Sequence, residues 1–290
     1  VIPRIVLIST AAGIAVLAAT GCGGGAAGET GTRVVAAFYP LAYAAEQAGG
    51  SSVSVRNLTP AGAEPHDLEL TAGDVKAVRD ADLVVYLGGG FMPALERAVA
   101  GRDRPSLDLL EGIRLASGGN EDVPPRDLHV WLDPVLYAGM ARAVAAALGD
   151  EPGGDALARR LAALDADFRQ GLAACRRRQI VTSHDAFGYL ARRYGLEQIA
   201  LQGLSPEAEP SARGIEELVR QVRAAGATTV FFETLVSPEL AETVAREAGA
   251  GTAVLNPLEG LTDDEAAAGA DYFSVMRENL VALRNALDCE

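Results

Sequence analysis

Apolar positions along this chain fall into two alternating rhythms. Short runs rich in β-branched residues, at residues 34–39, 52–58, 83–87, 107–110, 179–183, 196–201, 228–232 and 252–255, read as strands. Between them apolar residues recur every three or four positions, over residues 41–48, 93–100, 135–148, 212–225, 238–248 and 271–287, as on one face of a helix. This alternation predicts small parallel α/β sheets. One longer helical pattern interrupts it at residues 155–176, where Leu157, Leu161, Leu164, Phe168 and Leu172 share a face and Arg159, Arg160, Asp165, Asp167 and Arg169 lie between them. At 1.5 Å per residue such a helix runs about 30 Å, the width of a small domain. Gly153 and Gly154 read as its start. The segments before and after it read alike. The fold class expected is therefore α/β, with two small parallel-sheet lobes (residues 32–154 and 177–290) joined by this helix as a spine and a ligand cleft between them. The plainer alternative is an ordinary helix inside a single α/β domain.

The first residues follow a different pattern. Arg4, an apolar stretch at residues 5–19 and then Ala19-Thr20-Gly21-Cys22 resemble a bacterial lipoprotein processing site. Residues 1–21 are expected to be a signal peptide, Cys22 the lipidated residue, and the Gly/Ala-rich residues 22–31 a flexible tether. The apolar stretch is short for a membrane span. Across the 290 residues the formal net charge is −14, which argues against a nucleic-acid surface. The three cysteines show no CxxC spacing.

Chemistry concentrates in the three histidines. His66 closes a rigid loop, Thr59-Pro60-Ala61-Gly62-Ala63-Glu64-Pro65-His66. His129 lies in Asp127-Leu128-His129-Val130-Trp131-Leu132-Asp133-Pro134, where simple alternation puts it on the same side of an extended segment as Trp131. His184 follows a buried strand. His66, His184, Glu233 and Glu259 all stand just past strand carboxyl ends, where open parallel sheets bind ligands, and the connection carrying His129 can reach the same cleft. Imidazole suits zinc and similar cations, and Asp or Glu would supply a fourth ligand. Asp133 reads as the cap of the helix that Pro134 opens. The run Gly88-Gly89-Gly90 lacks the features of a phosphate loop and reads as a close turn. A zinc hydrolase is the rival reading, with Asp185, Glu207, Glu209 or Glu233 as a general base, but HExxH and GxSxG are both missing.

These motifs, together with Phe38-Tyr39-Pro40-Leu41, Thr182-Ser183-His184-Asp185-Ala186-Phe187, Phe232-Glu233 and Asn256-Pro257-Leu258-Glu259, resemble the metal-binding lipoproteins of bacterial zinc and manganese ABC importers, the cluster A-I or ZnuA/TroA-like solute-binding family. The resemblance spans about residues 33–287. It implies two α/β lobes on one long helix, one Zn²⁺ held between them as cargo, and no catalysis. It implies His66, His129 and His184 as ligands. The fourth is often an aspartate before Pro-Leu. Here that position is Asn256, and a zinc-binding branch with Asn-Pro-Leu-Glu points to Glu259 instead. Manganese is the alternative cargo, though glutamate is common in manganese binders where His184 stands. Residues 117–126 lack the histidine-rich tract of several zinc members, so a single site is expected. Glu64, Asp67, Asp185 and Glu233 are expected to brace the ligands or the lobes. With Cys22 carrying lipid, Cys175 and Cys289 are left as a disulfide pair. The implied partners are an ABC permease with its ATPase, and the membrane through the lipid anchor. The implied state is an extracytoplasmic monomer, lipid-anchored to the cell membrane (periplasmic in a Gram-negative envelope).

Overall fold

The apolar runs become two four-stranded parallel sheets in the computed structural model, which describes residues 31–116, 126–203 and 211–290. In the first, β1 (Thr32–Ala36) and β3 (Leu83–Tyr86) are central, with β2 (Val53–Asn57) and β4 (Ser106–Asp108) at the edges, in the order β2-β1-β3-β4. The second contains β5 (Gln179–Thr182), β6 (Glu197–Ala200), β7 (Thr229–Phe232) and β8 (Gly251–Val254), in the order β6-β5-β7-β8. The winding is the same in both, so the likeness of the two halves in sequence is a likeness of topology. Central strands are apolar on both faces, as parallel sheets covered by helices require; Val34, Val35, Val84, Val85, Ile180, Val181, Val230 and Phe231 are all buried.

The covering helices of the first half are α1 (Tyr39–Gly49), α2 (Ala72–Asp80), α3 (Pro93–Ala100) and α4 (Pro134–Leu148). The linking helix α5 (Glu151–Gly171) follows. The second half carries α6 (Gly188–Tyr194), α7 (Ala212–Ala224), α8 (Glu239–Ala248), α9 (Asp263–Ala267) and α10 (Tyr272–Leu287). Their starts are chemically specified. Thr71 and Asp74 form a reciprocal capping box on α2, and Asp133 caps α4 by accepting from Val135 N at 2.9 Å. Asp133 also takes an ion pair from Arg193 of α6 at 2.6 Å, so its role is structural.

The linking helix is displaced from its expected place. It spans Glu151–Gly171, not residues 155–176. Asp150 caps it, accepting from Gly153 N at 3.3 Å, and Pro152 suits its first turn. Gly153 and Gly154 are therefore inside the helix. A Cβ on Gly153 would fall 2.1 Å from the Ala48 carbonyl oxygen, and one on Gly154 would fall 2.4 Å from Ala145 Cβ. These glycines let α5 cross close over α1 and α4, and do not break it. Its apolar face, Leu157, Leu161, Leu164 and Phe168, is fully buried in the main core, which also takes in Trp131, Tyr137, Tyr272 and Phe273. A smaller core beneath β5, β7, α7 and α8 contains Val181, Val222, Val230 and Val244.

Cys175 and Cys289 are disulfide-bonded across a sequence separation of 114 residues, tying the C-terminus after α10 to the end of α5. Residues 1–30, which hold the expected signal peptide, Cys22 and most of the expected tether, lie outside the described residues, as do residues 117–125 and the loop with Glu207 and Glu209. Among the described residues no helix is long and apolar enough to cross a membrane.

Candidate metal centre

Four side chains converge where the two sheets point their strand ends at each other. His66 sits in a short 3-10 turn, Pro65–Asp67, on the loop after β2. His129 precedes α4. His184 follows β5 by two residues, and Glu259 lies on the loop after β8. Among the described residues, these four form the group of His, Cys, Asp and Glu side chains able to hold a metal ion, with ligand atoms within 4.8 Å of one another. Glu259 Oε1 lies 3.2 Å from His66 Nε2, 3.0 Å from His129 Nε2 and 3.5 Å from His184 Nε2. The His129 and His184 Nε2 atoms are 3.4 Å apart. Zinc bonds of about 2.0–2.2 Å in a tetrahedron set ligand atoms about 3.3–3.6 Å from each other. The donor set and its spacing therefore fit one Zn²⁺.

The segment around His129 is not extended. Val130–Leu132 is a 3-10 turn, closed by Asp133 N donating to the Val130 carbonyl at 3.2 Å. The Trp131 ring still sits 5.1 Å from the His129 ring. Asp127 dictates that ring's orientation. Its Oδ1 accepts from the His129 backbone N–H at 3.0 Å and lies 3.0 Å from Nδ1. Asp127 is absent from the bracing acids expected from the sequence, although an acid two residues before a histidine in a loop is a local signal for such a turn. Phe91 is absent from the expected site as well. Its ring lies 4.6 Å from that of His66, and it follows Gly89 and Gly90, whose φ of 77° and 94° turn the chain toward the site. This is the close turn expected of that glycine run.

The other bracing acids divide. Glu233, after β7, places Oε1 2.5 Å from His184 Nδ1 and accepts from Ser183 Oγ. Glu64 accepts from the His66 backbone N–H at 3.1 Å, holding the turn and not the ring. Asp185 is half-buried, with its backbone N–H donating to the Gly203 carbonyl at 3.1 Å. The side chain of Asp67 is outside the described side chains. With Nδ1 of His129 and His184 each facing a carboxylate, both Nε2 atoms are left to face the cluster. Asp127→Asn is expected to lower zinc affinity about 10- to 100-fold, measured by chelator competition. Affinity equal to the parent would reduce Asp127 to a brace of its own loop.

Charge is concentrated and dry. Burial opposes a proton on His129, but Asp127 and Glu259 outweigh it and push the imidazole up to about 9. His184 is likewise raised, against its burial, by Glu233 and Glu259. Glu259 is 1% exposed; burial disfavours its charge, yet the three imidazoles hold it well below the usual carboxylate range. Burial, and then the charge of Glu259, push Glu64 up to about 8.

Residues 34–286 match the family model described as ZnuA, zinc-uptake complex component A, periplasmic. The chain belongs to this family. Within the ZnuA family it is similar to the zinc-binding lipoprotein AdcA of Streptococcus pneumoniae, with 34% identity over 281 residues, covering 89% of this chain and 56% of that protein. The chain thus spans little more than half the length of AdcA. It is also similar to the high-affinity zinc uptake system protein ZnuA of Bacillus subtilis, with 32% identity over 278 residues, covering 88% of this chain and 87% of that one. Among solved structures, the Zn(II)-bound ZnuA-like domain of S. pneumoniae AdcA superposes with a TM-score of 0.77 at 36% identity, covering 89% of this chain and 99% of that domain.

Proposed function

We propose that this protein captures extracytoplasmic Zn²⁺ at His66, His129, His184 and Glu259 and delivers it to an ABC permease driven by its ATPase. The observation that carries this reading is the convergence of three Nε2 atoms on one Glu259 oxygen, with ligands drawn from both sheets. Three nitrogens and one carboxylate favour zinc over manganese, which prefers oxygen ligands. The fourth protein ligand also separates this site from a hydrolase, whose zinc keeps an open position for water. Glu233, proposed as a base in that rival reading, is engaged with His184 and Ser183. Two lobes joined by α5 as a spine belong to the same proposal, the first now ending at residue 150 because α5 starts at Glu151, and the second still starting at residue 177. So do lipid attachment at Cys22, a place outside the cytoplasm on the cell membrane, and action as a monomer. The similarity to proteins described as a zinc-binding lipoprotein and a periplasmic zinc-uptake component supports the anchor and the place outside the cytoplasm.

Metal analysis and competitive titration of the purified protein are expected to give one zinc per chain and no turnover of ester, amide or phosphate substrates. Turnover by the zinc form would overturn the proposal. The pH dependence follows from the raised imidazoles. His129 keeps its proton to about pH 9, not to its ordinary 6.5, so zinc must displace protons throughout the neutral range. Affinity is therefore expected to rise from pH 6 to about 9, roughly tenfold per pH unit for each proton displaced. Calorimetry in buffers of different ionisation enthalpy counts those protons. Zero release at pH 7.5 would contradict the charge state described above.

A further inference from the structure

Glu259 reaches the imidazoles from a four-residue loop, Asn256-Pro257-Leu258-Glu259, whose backbone is held at each step before it. Asn256 N donates to Asn279 Oδ1 at 2.8 Å, and Asn279 Nδ2 donates back to the Asn256 carbonyl at 2.7 Å. The Pro257 carbonyl accepts from Trp131 Nε1 at 2.8 Å. Leu258 N donates to Asn256 Oδ1 at 2.7 Å. That last bond closes a turn around Pro257 and fixes the peptide N–H of Leu258, whose φ of 58° lies in a region that side chains with a Cβ avoid. Leu258 is fully buried, so packing and the Asn256 amide together hold a conformation that the backbone alone would leave. The turn at Leu258 swings Glu259 inward.

The same asparagine is used on its other side. Asn256 Nδ2 donates to Glu265 Oε1 at 3.1 Å, while Glu265 Oε2 accepts from Thr262 N at 2.8 Å in the capping box of α9. An aspartate at 256 would set two carboxylates against each other there. This is a physical reason for an amide where a carboxylate is more usual in the family. Asn279 stands on α10 and is 3% exposed, a buried polar side chain that bonds the loop backbone through both its oxygen and its nitrogen. α10 also meets the other half of the molecule, where Tyr272 Oη donates to the Trp131 carbonyl at 2.7 Å.

We propose that Asn256 and Asn279 are positioning residues that hold Glu259 Oε1 on the three imidazoles, so that zinc affinity is governed from α10 by side chains that never touch the ion. The proposal rests on the zinc reading of the four-residue site. The Asn256 side chain is committed to the loop and to α9, its oxygen accepting from Leu258 N and its nitrogen donating to Glu265. With either amide removed, the loop is free to relax at Leu258 and Glu259 leaves the cluster.

The test compares Asn256→Ala, Asn256→Ser, Asn279→Ala, Glu259→Gln and Leu287→Ala with the parent. The readouts are zinc dissociation constants by chelator competition, zinc release rates by stopped flow, visible absorption of the Co²⁺-loaded protein, and Tm of the metal-free protein. Asn256→Ala and Asn279→Ala are expected to lose about tenfold in affinity, through faster release, and to show weakened Co²⁺ bands. Asn256→Ser keeps an acceptor for Leu258 N and is expected to recover most of the loss. Leu287→Ala opens a cavity on the same helix away from the loop, and is expected to lower Tm while affinity and bands stay within twofold of the parent. The inference is overturned if Asn256→Ala and Asn279→Ala bind within twofold of the parent while Glu259→Gln loses binding. Glu259→Gln binding like the parent would instead remove the ligand assignment on which it rests. Should Asn279→Ala fail to fold, the Asn256→Ala and Asn256→Ser pair decides by the same criteria.

Discussion

Glu259→Gln is expected to weaken zinc binding by about two to three decades, about 3–4 kcal/mol. The substitution keeps the shape and removes the charge. Three neutral imidazoles would then hold a doubly charged ion in a site whose other members, His129 and His184, are buried. The same change leaves the raised imidazoles without their shared counter-charge, because Glu259 Oε1 is the atom that all three Nε2 groups face. Zinc binding by Glu259→Gln is therefore expected to depend less steeply on pH than binding by the parent. A dissociation constant equal to the parent's, by competition against a calibrated chelator, would show that the carboxylate is not a ligand.

The second large effect is His184→Ala, which is expected to abolish measurable zinc binding and also to lower the Tm of the metal-free protein. His184 is fully buried, and its Nδ1 faces Glu233, itself 2% exposed. Truncating the imidazole strands a buried carboxylate, a loss of about 3–5 kcal/mol. His66→Ala is expected to behave differently. Its side chain is 14% exposed, and the acid beside it, Glu64, holds the backbone and not the ring. Binding should fall sharply there with little change in Tm. Pairing His184→Ala with Glu233→Gln separates the two roles: stability should return toward the parent while binding stays lost. Thermal unfolding of the four metal-free proteins decides it. Equal Tm values for His66→Ala and His184→Ala would show that Glu233 gains nothing from the imidazole.

Much of this centre could be read from the chain because its residues sit at ends of patterns. His66 and His184 follow apolar runs that end abruptly, and a strand end in a parallel sheet is a place a cleft can use. Asp133 and Pro134 mark a helix start by local chemistry. Where local rules misled, a distant neighbour had changed the meaning of a residue. Gly153 and Gly154 look like breakers until Ala48 and Ala145 are seen against them. Alternation made residues 129–131 extended, but Asp127 and the cap of α4 wind them into a 3-10 turn. Glu259 shares its place past a strand end with Glu233, and position alone does not choose between the two; the resemblance to a family does.

The sequence by itself determined the two-sheet α/β architecture, the three histidines that the fold brings to one Glu259 oxygen and the cysteine pair. Each of these is carried by period, by position at a strand end, or by a residue type too rare to be ambiguous. Only the tertiary structure decided which acids serve the site and how they are held. His66 and Glu259 are separated by 193 positions, His184 and Glu233 by 49, and Asn256 and Asn279 by 23. No local pattern of polar and apolar residues encodes such pairings. A buried carboxylate is stable only where opposite charge and donors meet it, and the packing of both sheets on α5 and α10 brings those partners to the same few ångströms.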